Sequence, residues 1–209
     1  VDGPARAAGP ARARPLACEA TIDEIQAFAQ RQDKRVLSFA GYSGAGYEDP
    51  PAMLAQAARV LDAHDPARTL VNIGATAEGI GAVYPLARQR GFTTMGVVST
   101  RARDEHVPLS PWVQHVFYVA DPTWGGRLPG PGDRLSPTSA AIVGVSAELV
   151  AIGGGAVARD EALAARRAGK PVHFVPADMA HAPAIDKARR HGQPPPDFRG
   201  EAYAALAGS

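Results

Sequence analysis

Cysteine is nearly absent: Cys18 is the single one in 209 residues. An intrachain disulfide and a multi-cysteine zinc cluster are thereby excluded, and a reducing, cytoplasmic setting is the expectation. No apolar run approaches the roughly 18 residues that a spanning helix needs, so no membrane partner is expected. The opening VDGPARAAGPARARP lacks the apolar stretch of a cleaved leader. Net charge is also scarce, with 22 Lys and Arg against 21 Asp and Glu. No global field would draw the chain onto nucleic acid, and any anion must be gripped locally. The histidines show neither HxxxH nor HxH spacing, so no metal is expected. A Walker A pattern and a regular GxGxxG are missing too, which disfavours a kinase or an ordinary NAD dehydrogenase and leaves no cofactor to assign.

What the chain does have is alternation. A capping-box spacing at Thr21 and Glu24 predicts a helix running to about Asp33. RVLSFA (35–40) then reads as a strand covered on both faces. Met53, Leu54, Ala57, Ala58 and Leu61 place a helix over 50–64. Further strands are predicted at 68–74, 93–99, 114–120, 148–153 and 171–176. A helix over 81–91 should start late or kink at Pro85, and another fills 156–170, ending in Arg166, Arg167, Gly169 and Lys170. Strands separated by helical stretches imply right-handed crossovers and a parallel sheet. The fold class is therefore α/β, a doubly wound, Rossmann-like, three-layer α/β/α domain. Its expected extent is 19–192, between a loose basic arm (1–18) and a Pro-rich tail (193–209) that closes with a short docked helix.

Ligands of such sheets bind at the carboxyl ends of the strands, where the strand order reverses. Three strand-to-helix loops here are glycine-rich. The first carries Gly41, Tyr42, Ser43, Gly44 and Gly46, the second Gly74, Ala75, Thr76 and Gly79, and the third Gly153, Gly154 and Gly155. Glycine lets backbone approach a phosphate, and a helix N-terminus favours an anion, although tight turns use glycine for backbone reasons as well. Together the three loops point to a phosphate-bearing small molecule, a nucleotide or nucleotide-derived ligand.

The order FAGYSGAGY, LVNIGATAEGIGAVYPLARQRGFTTMGVVS, ELVAIGGGAVARDEAL resembles the SLOG superfamily, which includes the LOG-type phosphoribohydrolases once labelled lysine decarboxylases. The resemblance spans about residues 35–176. It implies a Rossmann-like fold, a nucleotide-derived ligand and a homodimer. The family's PGGxGTxxE signature is partly kept: its two glycines fall on Gly154 and Gly155 and its glutamate on Glu161, while Gly153, Val157 and Ala158 stand where the family has Pro, Gly and Thr. The family's catalytic Arg-Lys pair would fall near Thr138 and Ser139, which carry no charge. These departures place the sequence nearer the non-catalytic prokaryotic relatives of the TRPM-channel SLOG domain. A sensor of an ADP-ribose-like molecule is the first reading, a nucleoside monophosphate phosphoribohydrolase the second, and an assembly protein with a vestigial pocket the third.

Single residues carry two readings each. Glu161 is a ribose partner or a catalytic acid or base, or else a first-turn carboxylate complementing the helix dipole. Thr138 and Ser139 are phosphate donors or a plain helix start. Asp160 reads as a solvated charge, and Arg101 and Arg103, after the third predicted strand, are phosphate partners or, the more frequent case, solvated loop charges. The stretch 121–137, rich in Gly and Pro, is expected to be a mobile lid carrying Trp124 over the ligand.

Overall fold

The computed structural model describes residues 15–208. Seven strands, all parallel, form one sheet in the order β1-β5-β4-β3-β2-β6-β7. They are β1 Leu16–Glu19, β2 Arg35–Gly41, β3 Thr69–Ile73, β4 Thr93–Ser99, β5 His115–Val119, β6 Glu148–Ile152 and β7 Val172–Val175. The helices are α1 Ile22–Arg31, α2 Pro50–Asp62, α3 Val83–Gln89, α4 Thr100–Asp104, α5 Pro137–Val145, α6 Ala156–Arg167, α7 His181–Arg190 and α8 Glu201–Leu206. A 3-10 turn, Gly79–Ala82, precedes α3 and absorbs the late start expected from Pro85. Among the described residues no helix is long and apolar enough to cross a membrane.

Alternation along the strands sorts the core into two layers. Leu37, Phe39, Val71, Ile73 and Val98 pack with Met53 and Leu61 of α2 and Tyr84 and Ala87 of α3. On the opposite face Val36, Leu70, Met95 and Val97 meet Ile25 of α1 and Ala141 of α5. Leu149 and Ala151 meet Ala162 and Ala165 of α6, and Ala202 and Leu206 of α8. Side-chain caps fix three helix starts. Thr21 and Glu24 form the expected box on α1, Asp49 accepts from Ala52 N–H on α2 and Ser136 from Ser139 N–H on α5.

From β2 the chain steps outward through β3, β4 and β5, then crosses back over 120–136 and α5 to lay β6 on the other side of β2. The strand order reverses between β2 and β6, which opens a crevice at their carboxyl ends.

Three local features differ from the sequence expectation. Residues 16–18, placed in a loose arm, belong to β1, whose four residues are all exposed on the sheet edge and so show no apolar alternation to read. The rest of that arm, 1–14, lies outside the described residues. Helices α4 and α7 were not anticipated: α4 is five residues long and α7 buries Ala188 alone. The tail does close with a short docked helix, and what was not anticipated is its placement: α8 packs against α6 through Ala202 and Leu206, and its start covers the loop after β6.

Candidate functional site

A cleft of about 500 Å³ opens where the strand order reverses. Its wall on the β2 side is Gly41, Ser43 and Gly44, and the ends of β3 and β4 add Gly74, Thr76 and Ser99. Thr138 and Ile142 of α5 and Val157, Ala158 and Glu161 of α6 close the opposite side, with Trp124 at the rim. Among the described residues that line it, none is Arg, Lys or His; the ionisable ones are Glu78 and Glu161.

The loops are held by reciprocal contacts. Tyr42 C=O accepts from Ile80 N–H at 2.7 Å, and a side chain on Gly79, whose φ is +58°, would collide with the Tyr42 and Ser43 carbonyls. Tyr84 Oη accepts from the N–H groups of Ile73 and Ala75 and donates to Met95 C=O at 2.7 Å. This grip holds Ala75 at φ +65°, a left-handed conformation uncommon for a residue with a Cβ. Gly96 makes room for it, since a Cβ there would lie 2.6 Å from that of Ala75.

The glycines divide into two groups. Gly41 makes room for Tyr47 Oη, which donates to Ile152 C=O at 2.7 Å and accepts from Tyr42 N–H. Gly154, at φ +122°, would bring a Cβ to 2.5 Å from Ala158. Gly74 and Gly44 behave otherwise. Neither is in the left-handed region; a Cβ on Gly74 would meet nothing within 4 Å, and one on Gly44 only Glu78 Oε2 at 3.7 Å. The fold does not require glycine at these two cleft positions.

The candidates are therefore not all gathered together. Gly41, Ser43, Gly44, Gly74, Thr76, Trp124, Thr138 and Glu161 line the cleft. Tyr42 is buried instead, its hydroxyl donating to Ala177 C=O at 3.0 Å and its ring set against Gly153. Gly46 turns the chain at φ +70° on the way to Tyr47. Ala75 and Gly79 shape the second loop from behind. Gly153 donates to Val175 C=O, and Gly154 C=O accepts from Ala202 N–H beneath Gly200. Gly155 is the N-cap of α6, which has no side-chain cap and no acid in its first turn.

Glu161 lies in the second turn of α6, not the first, and is 5% exposed. Burial, reinforced by Asp160 and opposed by the bond from Ser139, pushes its carboxyl up to about 8. Ser139 Oγ donates to Glu161 Oε1 at 3.0 Å and accepts from Gly126 N–H at 2.7 Å. Ser139 therefore orients Glu161 and is not itself among the lining residues.

Asp160 is not a solvated charge: its carboxylate accepts from Arg127 N–H at 2.9 Å and from Arg159 Nε at 3.0 Å. Arg103 is exposed and ion-paired with Glu19. Arg101 pairs with Glu105 and lies over the Trp124 ring, 4.9 Å from its centroid.

Several contributors were missed by sequence reasoning. Asp121 accepts from Thr123 N–H, Thr123 Oγ1 and Thr138 N–H. Burial alone would raise its carboxyl, yet these donors hold it below the ordinary value and fix the start of α5. Asn72 and Ser99 line the floor, fully or almost fully buried, and Asn72 Oδ1 and Ser99 Oγ have no hydrogen-bond partner among the described residues. Asn72 did carry a signal, being the one amide inside the apolar strand TLVNI.

The fold and crevice define a doubly wound α/β protein with a largely apolar cleft and a few convergent polar groups, the usual form of a small-molecule site. No family model and no curated protein matches the chain. Among solved structures, the Moco carrier protein from Chlamydomonas reinhardtii is 21% identical, with 68% of this chain and 76% of that one covered and a TM-score of 0.48. The molybdenum cofactor binding protein from Rippkaea orientalis is 18% identical over 68% and 76%, with a TM-score of 0.49. DNA processing protein A from Streptococcus pneumoniae is 13% identical over 84% of this chain and 62% of that one, with a TM-score of 0.46. These are partial likenesses of fold, and nothing about this chain's ligand rests on them.

Proposed function

We propose that the chain is a binding or sensing protein of the SLOG type, which takes a nucleotide or nucleotide-derived ligand, of ADP-ribose-like chemistry, into the cleft between the carboxyl ends of β2, β3 and β4 and helices α5 and α6. The observation that carries this reading is the cleft floor, where Asn72 Oδ1 and Ser99 Oγ are buried without partners. Each orphaned polar atom costs about 1–3 kcal/mol, and a ligand that satisfies it recovers that cost. The apolar walls suit a flat ring. The uncapped start of α6, whose Val157 and Ala158 line the cleft, and the open backbone at Gly44 and Gly74 suit a phosphate, which needs no side-chain cation there. Glu161 does not repel it, because a carboxyl pushed up to about 8 is mostly protonated at neutral pH.

A second reading, hydrolysis of the N-glycosidic bond of a nucleoside monophosphate, draws on the same Glu161, poised as a general acid. It lacks a cation to stabilise developing charge, since no Arg, Lys or His is among the described residues lining the cleft and Thr138 and Ser139 stand where the resemblance places the catalytic pair. The homodimer belongs to this proposal as an implication of the SLOG resemblance, testable by light scattering.

A thermal-shift panel of nucleosides, nucleoside mono- and diphosphates and ADP-ribose tests the reading. A ligand present at about 100 times its Kd adds about 2.7 kcal/mol of stability. A rise in Tm with one class, lost in Gly74→Val, supports ligand binding in the cleft. A flat panel removes it, and free base in the incubation, read by chromatography, transfers the protein to the second reading.

A further inference from the structure

Four buried groups form a chain that ends at the cleft floor. Ser146 Oγ, 3% exposed, lies 2.5 Å from the C=O of Ile142, one turn back on α5. A carbonyl only accepts, so the single Ser146 hydroxyl proton is committed to it. Ser38 Oγ, on β2, is 2.6 Å from Ser146 Oγ. With the Ser146 proton engaged, Ser38 must be the donor in that contact. Ser38 Oγ is thereby left able only to accept, and the Asn72 side chain, 3.0 Å away on β3, must turn its NH2 group toward it. The reverse amide would set two acceptors against each other in a site closed to water: Ser38 is 1% exposed and Asn72 0%. The carbonyl Oδ1 of Asn72, which has no partner among the described residues, is what remains for the cleft.

We infer that this proton-ordered relay, Asn72 to Ser38 to Ser146 to the Ile142 carbonyl, makes Asn72 a specificity-determining residue that selects ligands presenting an uncharged N–H donor on a flat ring at the cleft floor. The inference rests on the cleft being the ligand site, as proposed above. A buried acceptor with fixed orientation rejects an analogue that lacks the donor, because its own desolvation then goes uncompensated. The ring, not a phosphate, belongs at this depth: the relay offers an acceptor, and a phosphate oxygen facing Asn72 Oδ1 would repel it. Ser99 Oγ, 3% exposed and also without a partner among the described residues, lines the same cleft further along the sheet, four residues past Met95, the register partner of Asn72, as a hydroxyl that serves either as donor or as acceptor.

The test uses paired probes that differ by one donor, inosine against 1-methylinosine and adenosine against N6,N6-dimethyladenosine, with ribose 5-phosphate as the sugar arm. Affinities are measured by calorimetry on the wild type, Ser146→Ala and Ser146→Thr. In the wild type, methylation of the recognised donor weakens binding about 10- to 100-fold, corresponding to one unpaired buried acceptor. Ser146→Ala frees the Ser38 proton, lets the Asn72 amide reverse and narrows the difference to within about two-fold; Ser146→Thr, which keeps the hydroxyl, restores it. A purely steric rejection of the methyl group would persist unchanged in Ser146→Ala and would overturn the inference. So would equal affinity within both pairs in the wild type, a result that needs no variant to fold, or ribose 5-phosphate binding as tightly as the nucleosides. Should Ser146→Ala not fold, Ser38→Ala interrupts the same relay one step nearer the cleft. If none of the probes, ribose 5-phosphate included, binds while the thermal-shift panel shows a nucleotide that does, the inference falls alone; a flat panel removes the proposed function and this inference with it. Binding without discrimination removes the inference alone.

Discussion

Ser139 Oγ donates to Glu161 Oε1 across 3.0 Å, joining the start of α5 to the second turn of α6 over the cleft. Around this bond the carboxyl is buried and, at neutral pH, mostly protonated. The sign of its effect on stability follows. The folded state holds the proton up to about pH 8, whereas the unfolded chain releases it near 4.5. Its contribution is therefore fully present below about pH 4.5 and is lost as the pH rises toward about 8. We expect the wild type to lose stability with a slope of up to about 1.4 kcal/mol per pH unit in that window. Glu161→Gln should flatten this dependence and be the more stable protein at pH 8. Urea unfolding at intervals from pH 5 to 8.5 measures both, and parallel curves for the two proteins would contradict the assignment.

Glycines in this site divide by what they face, and substitutions should divide the same way. Gly74→Val projects into open cleft, so folding is kept within about 1 kcal/mol while ligand binding is lost. Gly154→Val meets Ala158 and forces a β-branched residue to φ +122°, costing about 3 kcal/mol or more. Thermal melts with and without ligand distinguish the two. A Gly74→Val protein that folds and still binds would remove the glycine-lined wall from the site.

Tyr84 carries a structural load that its position in the core conceals. Its hydroxyl satisfies Ile73 N–H, Ala75 N–H and Met95 C=O together. Tyr84→Phe removes one oxygen and leaves three buried backbone groups short of a partner, so a loss of about 2–3 kcal/mol is expected. Because the same contacts hold Ala75 at positive φ, ligand affinity should fall as well, measured by calorimetry at a temperature where the variant remains folded.

Hydrolysis should be absent. Thr138 and Ser139 stand where the resemblance places a catalytic cationic pair, and no Arg, Lys or His is among the described residues lining the cleft. Incubation with nucleoside monophosphates should release no base. Turnover near the 1 per second of an ordinary enzyme would show that a cation from outside the cleft, such as Arg101 beside Trp124, enters it.

The parallel sheet was legible because buried strands such as RVLSFA and TTMGVVS are nearly continuous apolar runs between helical periods. The cleft's wall was legible in part, since glycine marks a loop but not its purpose. Gly44 and Gly41 look alike in sequence; one faces open cleft and the other makes room for Tyr47 Oη, a difference set by a residue packed from elsewhere. Gly153 and Gly154 look like ligand loops until α8, whose first residues follow a run of three prolines, folds back over them. The floor was hidden for another reason. Asn72, Ser38 and Ser146 come from three distant segments, and the relay exists only once β2, β3 and α5 are packed.

The loop between β5 and α5 was expected to be mobile throughout, and the structure divides it. Gly126 N–H is bonded to Ser139 Oγ, Arg127 N–H to Asp160, Leu128 N–H to Arg134 C=O and Thr138 N–H to Asp121. Residues 130–134 at the tip are exposed, and Gly130 and Gly132 have open space around them. Without ligand, the amides of Gly126, Arg127 and Thr138 should therefore exchange slowly and those of Gly130, Gly132 and Asp133 fast. Trp124, 48% exposed at the rim, rests against Arg101 on a strap already pinned on its C-terminal side. Closure over a ligand then requires a side-chain rotation of Trp124, not an ordering of the whole segment. Ligand should shift and quench Trp124 fluorescence, assigned by comparison with Trp124→Phe, while exchange at Gly126 and Arg127 stays unchanged. Marked slowing of exchange at those two amides on ligand addition would instead show that the strap is released in the free protein and that the entire loop acts as the lid.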